Sequence, residues 1–316
     1  MTARRSVLSA VLCALALSTM PARAQELNVV VTLKPVHSIV AGMMMGVGKP
    51  TLLLKGAASP HAYALKPSDM RDLQSADLIV RDSPGLEVFL DKALSQVNAR
   101  TTILTITDIP GMGLLKLRVG GAFEAHEDDH ATHGHDHGPG DGAGIDPHLW
   151  LDPVNAAAIA NKVADVLGGL RPGHRDLFRQ NAGKVVARLA ALQDEVVKEI
   201  APVKGRPFLV FHDAYQYFEH RFGLNVVGAV TVSPDVPPSA HRLRMLREKL
   251  KATGAACVFA EPQFPPRIIA SIIEGTGVRQ GTLDPLGAAL EAGPDQYFML
   301  LKSVARSLRT CLAGPS

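Results

Sequence analysis

Between positions 172 and 202 the chain carries an apolar stripe in which Phe178, Ala182, Val185, Leu189, Leu192, Val196 and Ile200 recur every three or four residues, with polar positions between them. That period predicts one long amphipathic α-helix. Pro172 suits its first turn, and Pro202 with Gly205 stops it, giving about 28 residues or roughly 42 Å. Such a helix acts either as a stiff spacer between two halves of the protein or as an ordinary packed helix of one domain, and the stripe alone leaves both open. On both sides of it, short β-rich runs alternate with helix-compatible stretches. They are residues 27–33, 51–56, 76–82 and 101–106 before the stripe, and 207–213, 225–230, 255–262 and 278–285 after it. This alternation predicts α/β architecture with βα units on parallel sheets. With 47% hydrophobic residues in 316, the chain can build two domains of ordinary size.

The first 24 residues have a basic start (Arg4, Arg5), an apolar run from Val7 to Leu17 and a small-residue site at Ala22-Arg23-Ala24, the layout of a cleaved secretory signal. The run is too short to span a bilayer of about 30 Å. Leu12 is bulky where a lipidation motif at Cys13 needs a small residue. Removing Arg4, Arg5 and Arg23 lowers Lys+Arg from 33 to 30, equal to the 30 Asp+Glu, so the mature chain is formally neutral. No basic stripe with interleaved aromatics then remains to argue for nucleic acid. Cleavage also removes Cys13 and leaves Cys257 and Cys311. In an exported chain two cysteines read as one disulfide, with two buried thiols as the alternative.

Residues 124–142 read EAHEDDHATHGHDHGPGDG, placing His126, His130, His133, His135 and His137 beside six carboxylates. Imidazole and carboxylate suit borderline divalent ions such as zinc. The glycines, the proline and the lack of apolar residues beyond alanine preclude a core there, so the tract is expected to be a mobile loop collecting additional, weakly held ions.

Four further residues share another context. His61 lies in GAASPHAYALKPSD after the run TLLLKG, His148 in DPHLWLDP, His212 ends PFLVFHD, and Asp284 ends VRQGTLDP. Each falls at or just beyond the C-terminal end of an expected strand or in a Pro-flanked loop, where open α/β sheets place ligands. Three neutral imidazoles and a carboxylate would make a tetrahedral zinc site. The spacings are not those of a local zinc motif. His37, His174, His220 and His241 lack the context and are expected to be structural or surface residues.

The runs GAASPHAYALKPSDMRDLQSADLIV, DPHLWLDPVNA, FHDAYQYFEHRFGL and FAEPQFPPRIIASIIEGTGVRQGTLDPLG resemble the periplasmic zinc-binding proteins of ABC uptake systems, the ZnuA type, over essentially the whole mature chain. The resemblance implies two (β/α)4-like lobes with parallel sheets joined by one long rigid helix, zinc bound in the cleft between them, and a histidine-rich acidic loop in the first lobe. On that basis the expected organisation is a signal peptide at 1–24, a metal-binding lobe at 25–170 with the loop at 124–141, a linking helix at 171–203 and a second lobe at 204–316. The family's three histidines fall on His61, His148 and His212. For the fourth ligand the resemblance leaves Asp284 or water, since Pro60 stands where some relatives carry a glutamate. Glu261 is a weaker candidate, better suited to packing or to supporting a ligand. Keeping a histidine at 212, where manganese-binding relatives have glutamate, favours zinc, although ligand type alone does not exclude copper or nickel.

The implied function is high-affinity zinc capture in the periplasm by a monomer that delivers the ion to an inner-membrane ABC permease. Two alternatives accompany it. Three histidines with an open position also suit a zinc hydrolase, with Asp284 or Glu261 as its base, although no HExxH or nucleophile elbow is present. The other is a periplasmic zinc buffer or metallochaperone that docks no transporter.

Overall fold

The structure is a computed structural model describing residues 27–118, 121–123, 144–231, 234, 238–265 and 267–314. The expected signal peptide and the five histidines of the 124–141 tract lie outside the described residues. The first half contains strands β1 (Val29–Val31), β2 (Thr51–Leu52), β3 (Leu78–Arg81) and β4 (Thr102–Thr105), with helices α1 (Lys34–Met43), α2 (Pro67–Ser75) and α3 (Asp91–Leu94) between them. Two long helices follow, α4 (Pro153–Leu170) and α5 (Arg175–Ile200). The second half contains β5 (Pro207–His212), β6 (Asn225–Thr231), β7 (Cys257–Ala260) and β8 (Arg279–Thr282), with α6 (Gln216–Phe222), α7 (Ala240–Thr253), α8 (Arg267–Ile273) and a terminal α9 (Gln296–Ala313).

The strands form two four-stranded sheets ordered β2-β1-β3-β4 and β6-β5-β7-β8, every pair parallel. Parallel sheets are covered on both faces, which is why the central strands are nearly continuous apolar runs. Val29–Val31, Leu78–Val80 and Phe208–Phe211 are all buried. Side-chain alternation along β5 divides the second half's packing. Leu209 and Phe211 join a core formed with α7 and α8, whereas Phe208 and Val210 belong to a larger core continuous with the first sheet, α4, α5 and α9.

The amphipathic stripe forms α5, 26 residues or about 39 Å long. Pro172 does not enter its first turn but opens a separate 3-10 turn, Pro172–His174. All seven stripe residues are buried, and α5 packs against α1, α4 and α9. The helix therefore joins the halves while sharing their core, so the spacer and the packed helix are the same element.

The termini of the second half are also tied into the first. Tyr297 Oη donates to the Trp150 carbonyl (2.7 Å), Trp150 Nε1 donates to the Pro285 carbonyl (2.8 Å), and the Ser38 hydroxyl accepts from the Tyr297 amide (2.9 Å). Cys257 and Cys311 form a disulfide that joins β7 to α9. Closing 54 residues of chain stabilises the fold by about 2–4 kcal/mol. The C257S/C311S variant should therefore unfold at clearly lower denaturant concentration, with zinc affinity within a few fold of the parent. An unchanged unfolding midpoint would show that the bond contributes nothing.

Candidate metal centre

The C-terminal ends of both sheets face one cleft, lined by Ser59, Pro60, His61, His148, Trp150, His212 and residues after β7 and β8. His61 lies in the loop that leaves β2, His148 immediately precedes the 3-10 turn Leu149–Leu151, and His212 is the last residue of β5. The turn after His148 is held firmly: Asp152 caps α4 by accepting from the Val154 amide (2.8 Å), and Trp150 is wholly buried. His148 and His212 are buried, while His61 is exposed at the mouth of the cleft.

These three histidines each place a ring nitrogen so that all three atoms lie within 4.8 Å of one another, and among the described residues they form the only group of three or more such donors. Their ring centroids are 5.1 to 5.6 Å apart. Nε2 of His148 stands 3.2 Å from Nε2 of His212. Both opposite nitrogens are already committed, His148 Nδ1 to Asp146 (2.8 Å) and His212 Nδ1 to Glu261 (2.7 Å). A carboxylate on Nδ1 keeps the proton there, fixes the ring and raises the basicity of Nε2. With the protons on Nδ1, two lone pairs face each other across this gap, which a metal ion, or a proton on one of the two nitrogens, can bridge. Tetrahedral zinc with Zn–N of about 2.0–2.1 Å sets its ligand nitrogens roughly 3.3–3.4 Å apart, close to the gap observed.

Although the residue as a whole keeps contact with solvent, crowding of the His61 ring within the cleft strips water from it, and this, followed by the neighbouring His148 and His212 rings, lowers its pKa. Burial and His212 push His148 well below the ordinary imidazole value. His212 differs, because burial is outweighed by Glu261 and its pKa is raised. Burial also lifts the Asp146 carboxyl to about 7, against the His148 amide and Arg118.

Asp284 is not brought into the group of nitrogens. Its Oδ1 accepts from Gln263 Nε2 (2.9 Å) and the amides of Leu286 (3.0 Å) and Gly287 (2.9 Å), and its Oδ2 accepts from the Ala288 amide (2.6 Å). It folds the turn after β8, which Lys34 Nζ then pins by donating to the carbonyls of Gly287, Ala288 and Leu290. Glu261 holds His212 by its ring nitrogen and lies outside the three-nitrogen group. Asp146 was not singled out from the sequence, although its position two residues before His148 in DPH was the available signal. His37 is buried with Nε2 against the Pro50 carbonyl (3.0 Å), and neither it nor His174, His220 or His241 joins the cluster.

Two parallel-sheet lobes sharing a cleft, with three histidines converging from a different loop or strand end each, define a two-lobed metal-binding protein. The sequence profile of the zinc-uptake complex component A, periplasmic (ZnuA), matches residues 29–311. The chain belongs to the ZnuA family. It is 42% identical over 308 residues to the high-affinity zinc uptake system protein ZnuA of Brucella suis, covering 90% of this chain and 92% of that one. The fold matches a ZnuA crystal structure with TM-score 0.76 at 24% identity, covering 90% of this chain and 99% of the other. A zinc-bound ZnuA deletion mutant superposes with TM-score 0.72 at 25% identity, covering 92% and 99%. Among the described residues no helix is long and apolar enough to cross a membrane.

Proposed function

We propose that this chain captures zinc in the periplasm through Nε2 of His148, Nε2 of His212 and a ring nitrogen of His61, with water as the fourth ligand, and delivers the ion to an inner-membrane ABC permease. The single observation that carries the reading is the 3.2 Å approach of two Nε2 atoms whose Nδ1 partners are carboxylates. Water is favoured over Asp284 because that carboxylate already accepts four hydrogen bonds within the loops after β7 and β8. A carrier also suits the surroundings better than a hydrolase. Asp146 and Glu261 each spend one oxygen on holding a ring nitrogen, and Asp284 folds a turn, so each of the three carboxylates has a structural task. A monomer without affinity for nucleic acid is part of the same reading.

His126, His130, His133, His135 and His137 are proposed to hold additional zinc more weakly. Gly- and charge-rich sequence must be ordered by the ion, and that entropy offsets part of the binding free energy. The test is calorimetric titration of the chain lacking residues 124–141. Zinc stoichiometry should fall from more than one to one, with the tight dissociation constant nearly unchanged. If deletion abolishes tight binding, the tract supplies a primary ligand and the three-histidine assignment fails.

A further inference from the structure

We propose that Arg118 is a positioning residue for zinc retention: by forking onto Asp213 and Glu219 it bolts the ribbon carrying Asp146 and His148 to the strand end carrying His212. The proposal rests on the reading that zinc sits among His61, His148 and His212.

The ribbon follows β4. Residues 115–117 and 144–146 run antiparallel, with the Leu117 amide donating to the Gly144 carbonyl (2.7 Å) and the Asp146 amide to the Leu115 carbonyl (2.9 Å). Its base is therefore the aspartate that holds His148. Although it grows out of the first half of the chain, the ribbon lies against the second. Tyr217 Oη accepts from the Leu115 amide (3.0 Å) and donates to the Asp146 carbonyl (2.8 Å), and Gln216 Nε2 donates to the Lys116 carbonyl (3.0 Å). Further along, the buried Arg242 donates to the carbonyls of Ala122 (2.9 Å), Ala229 (2.8 Å) and Val230 (2.8 Å). Gly228 on the edge strand β6 makes room for this contact, since a Cβ there would stand 2.7 Å from that of Ala122.

Arg118 supplies the charged link in this seam. Its Nε donates to Asp213 Oδ2 (2.9 Å) and its Nη2 to Asp213 Oδ1, while its Nη1 donates to Glu219 Oε2 (2.6 Å). Its guanidinium also stacks 4.0 Å from the Phe123 ring centroid. The side chains of Arg118, Asp213 and Glu219 are 17–19% exposed, so the fork is largely withdrawn from water. Two parallel bonds to one carboxylate fix direction as well as distance. Asp213 directly follows His212. One run of short, stiff links therefore leads from His212 through Asp213 and Arg118 to the ribbon, and from the ribbon through Asp146 to His148. The two rings that this seam aligns are those whose Nε2 atoms lie 3.2 Å apart. A second bidentate pair joins the halves, Arg221 to Asp152 (2.8 and 2.7 Å), but it bonds the cap of α4 and no residue adjacent to a ligand.

The test uses the full chain and the variants Arg118→Ala, Arg118→Lys, Asp213→Asn, Arg221→Ala and His148→Ala. Zinc release is timed by chelator challenge, and the visible absorption of the cobalt(II)-loaded proteins reports ligand geometry. Arg118→Ala should release zinc roughly 10-fold faster, the lower range for losing a group that supports a metal ligand, and should alter the cobalt spectrum. Asp213→Asn should do the same while keeping Arg118, and Arg118→Lys should recover part of the retention because an ammonium keeps the charge without the fork. Arg221→Ala should stay within about twofold of the parent, since the pair it removes bonds the cap of α4 and no residue adjacent to a ligand. Parent-like release and spectra in both Arg118→Ala and Asp213→Asn would overturn the proposal, as would equal acceleration by Arg118→Ala and Arg221→Ala, which would mark a general brace. If His148→Ala keeps the parent's tight zinc affinity, the three-histidine reading itself fails and the proposal falls with it.

Discussion

Replacing His148 or His212 by alanine is expected to weaken cleft zinc binding by at least about 100-fold. Zinc bound by four ligands gains roughly 10–16 kcal/mol, so one imidazole accounts for about 3 kcal/mol, which is a little over two decades in dissociation constant. Both rings are buried and held by carboxylates at Nδ1, so each is oriented before the ion arrives and little ordering entropy opposes coordination. Water entering the vacated position cannot reproduce a basic nitrogen in a fixed direction. His61 is exposed at the cleft mouth, where water substitutes more readily, and His61→Ala should fall at the lower end of the range. His174→Ala and His220→Ala, outside the cluster, should bind like the parent. Calorimetry on chains lacking residues 124–141 separates this site from the histidine tract, and thermal unfolding of the metal-free variants checks that each is folded. Three single variants with the parent's affinity would remove these residues from the site.

Acidification should release the cleft ion, beginning through His212. Neutral imidazole is the ligand and imidazolium is not, so a proton and zinc compete for the same nitrogen. A raised pKa means that His212 takes up its proton at higher pH than an ordinary histidine, and affinity is full above that point and lost as pH falls through it. His61 and His148 are lowered and protonate only far below. The first stage of the loss is therefore a one-proton event, about tenfold in affinity per pH unit, so two units below the His212 titration should cost about 100-fold. Glu261→Gln removes the charge that raises His212. It should weaken zinc at neutral pH by roughly 10–100-fold and move the acid limb of the profile to lower pH. Titrations between pH 8 and 5 on chains lacking residues 124–141 decide the matter. A flat profile, or an acid limb that Glu261→Gln leaves in place, would remove His212 as the group that titrates first.

Much of this protein was legible one residue at a time. The stripe from Phe178 to Ile200 specified a buried helix face because a 3.6-residue period can satisfy only one side of a helix. The eight β-rich runs correspond to the eight strands; the central ones, covered on both faces, are apolar almost throughout, while the edge strand Arg279–Thr282 is polar and was marked only by its place in the alternation. His61 and His148 stood out by their neighbouring prolines, His212 by ending an expected strand, and Cys257 and Cys311 by being the pair left in an exported chain. What sequence could not supply was partnership across long separations. Asp284 had the same local context as the histidines, and only the structure shows that its side chain accepts from three amides of its own turn and from Gln263, 21 residues away. Glu261 lies 49 residues from His212, and only the β5–β7 pairing brings them to 2.7 Å. Arg118 lies 95 residues from Asp213 and precedes the histidine tract in an unremarkable stretch, and only the docking of its ribbon on the second half gives it that partner. Periodicity and composition act locally and are written along the chain. Which nitrogen faces which, and which carboxylate holds it there, depends on two lobes packing through one shared core, and that was decided by the tertiary structure.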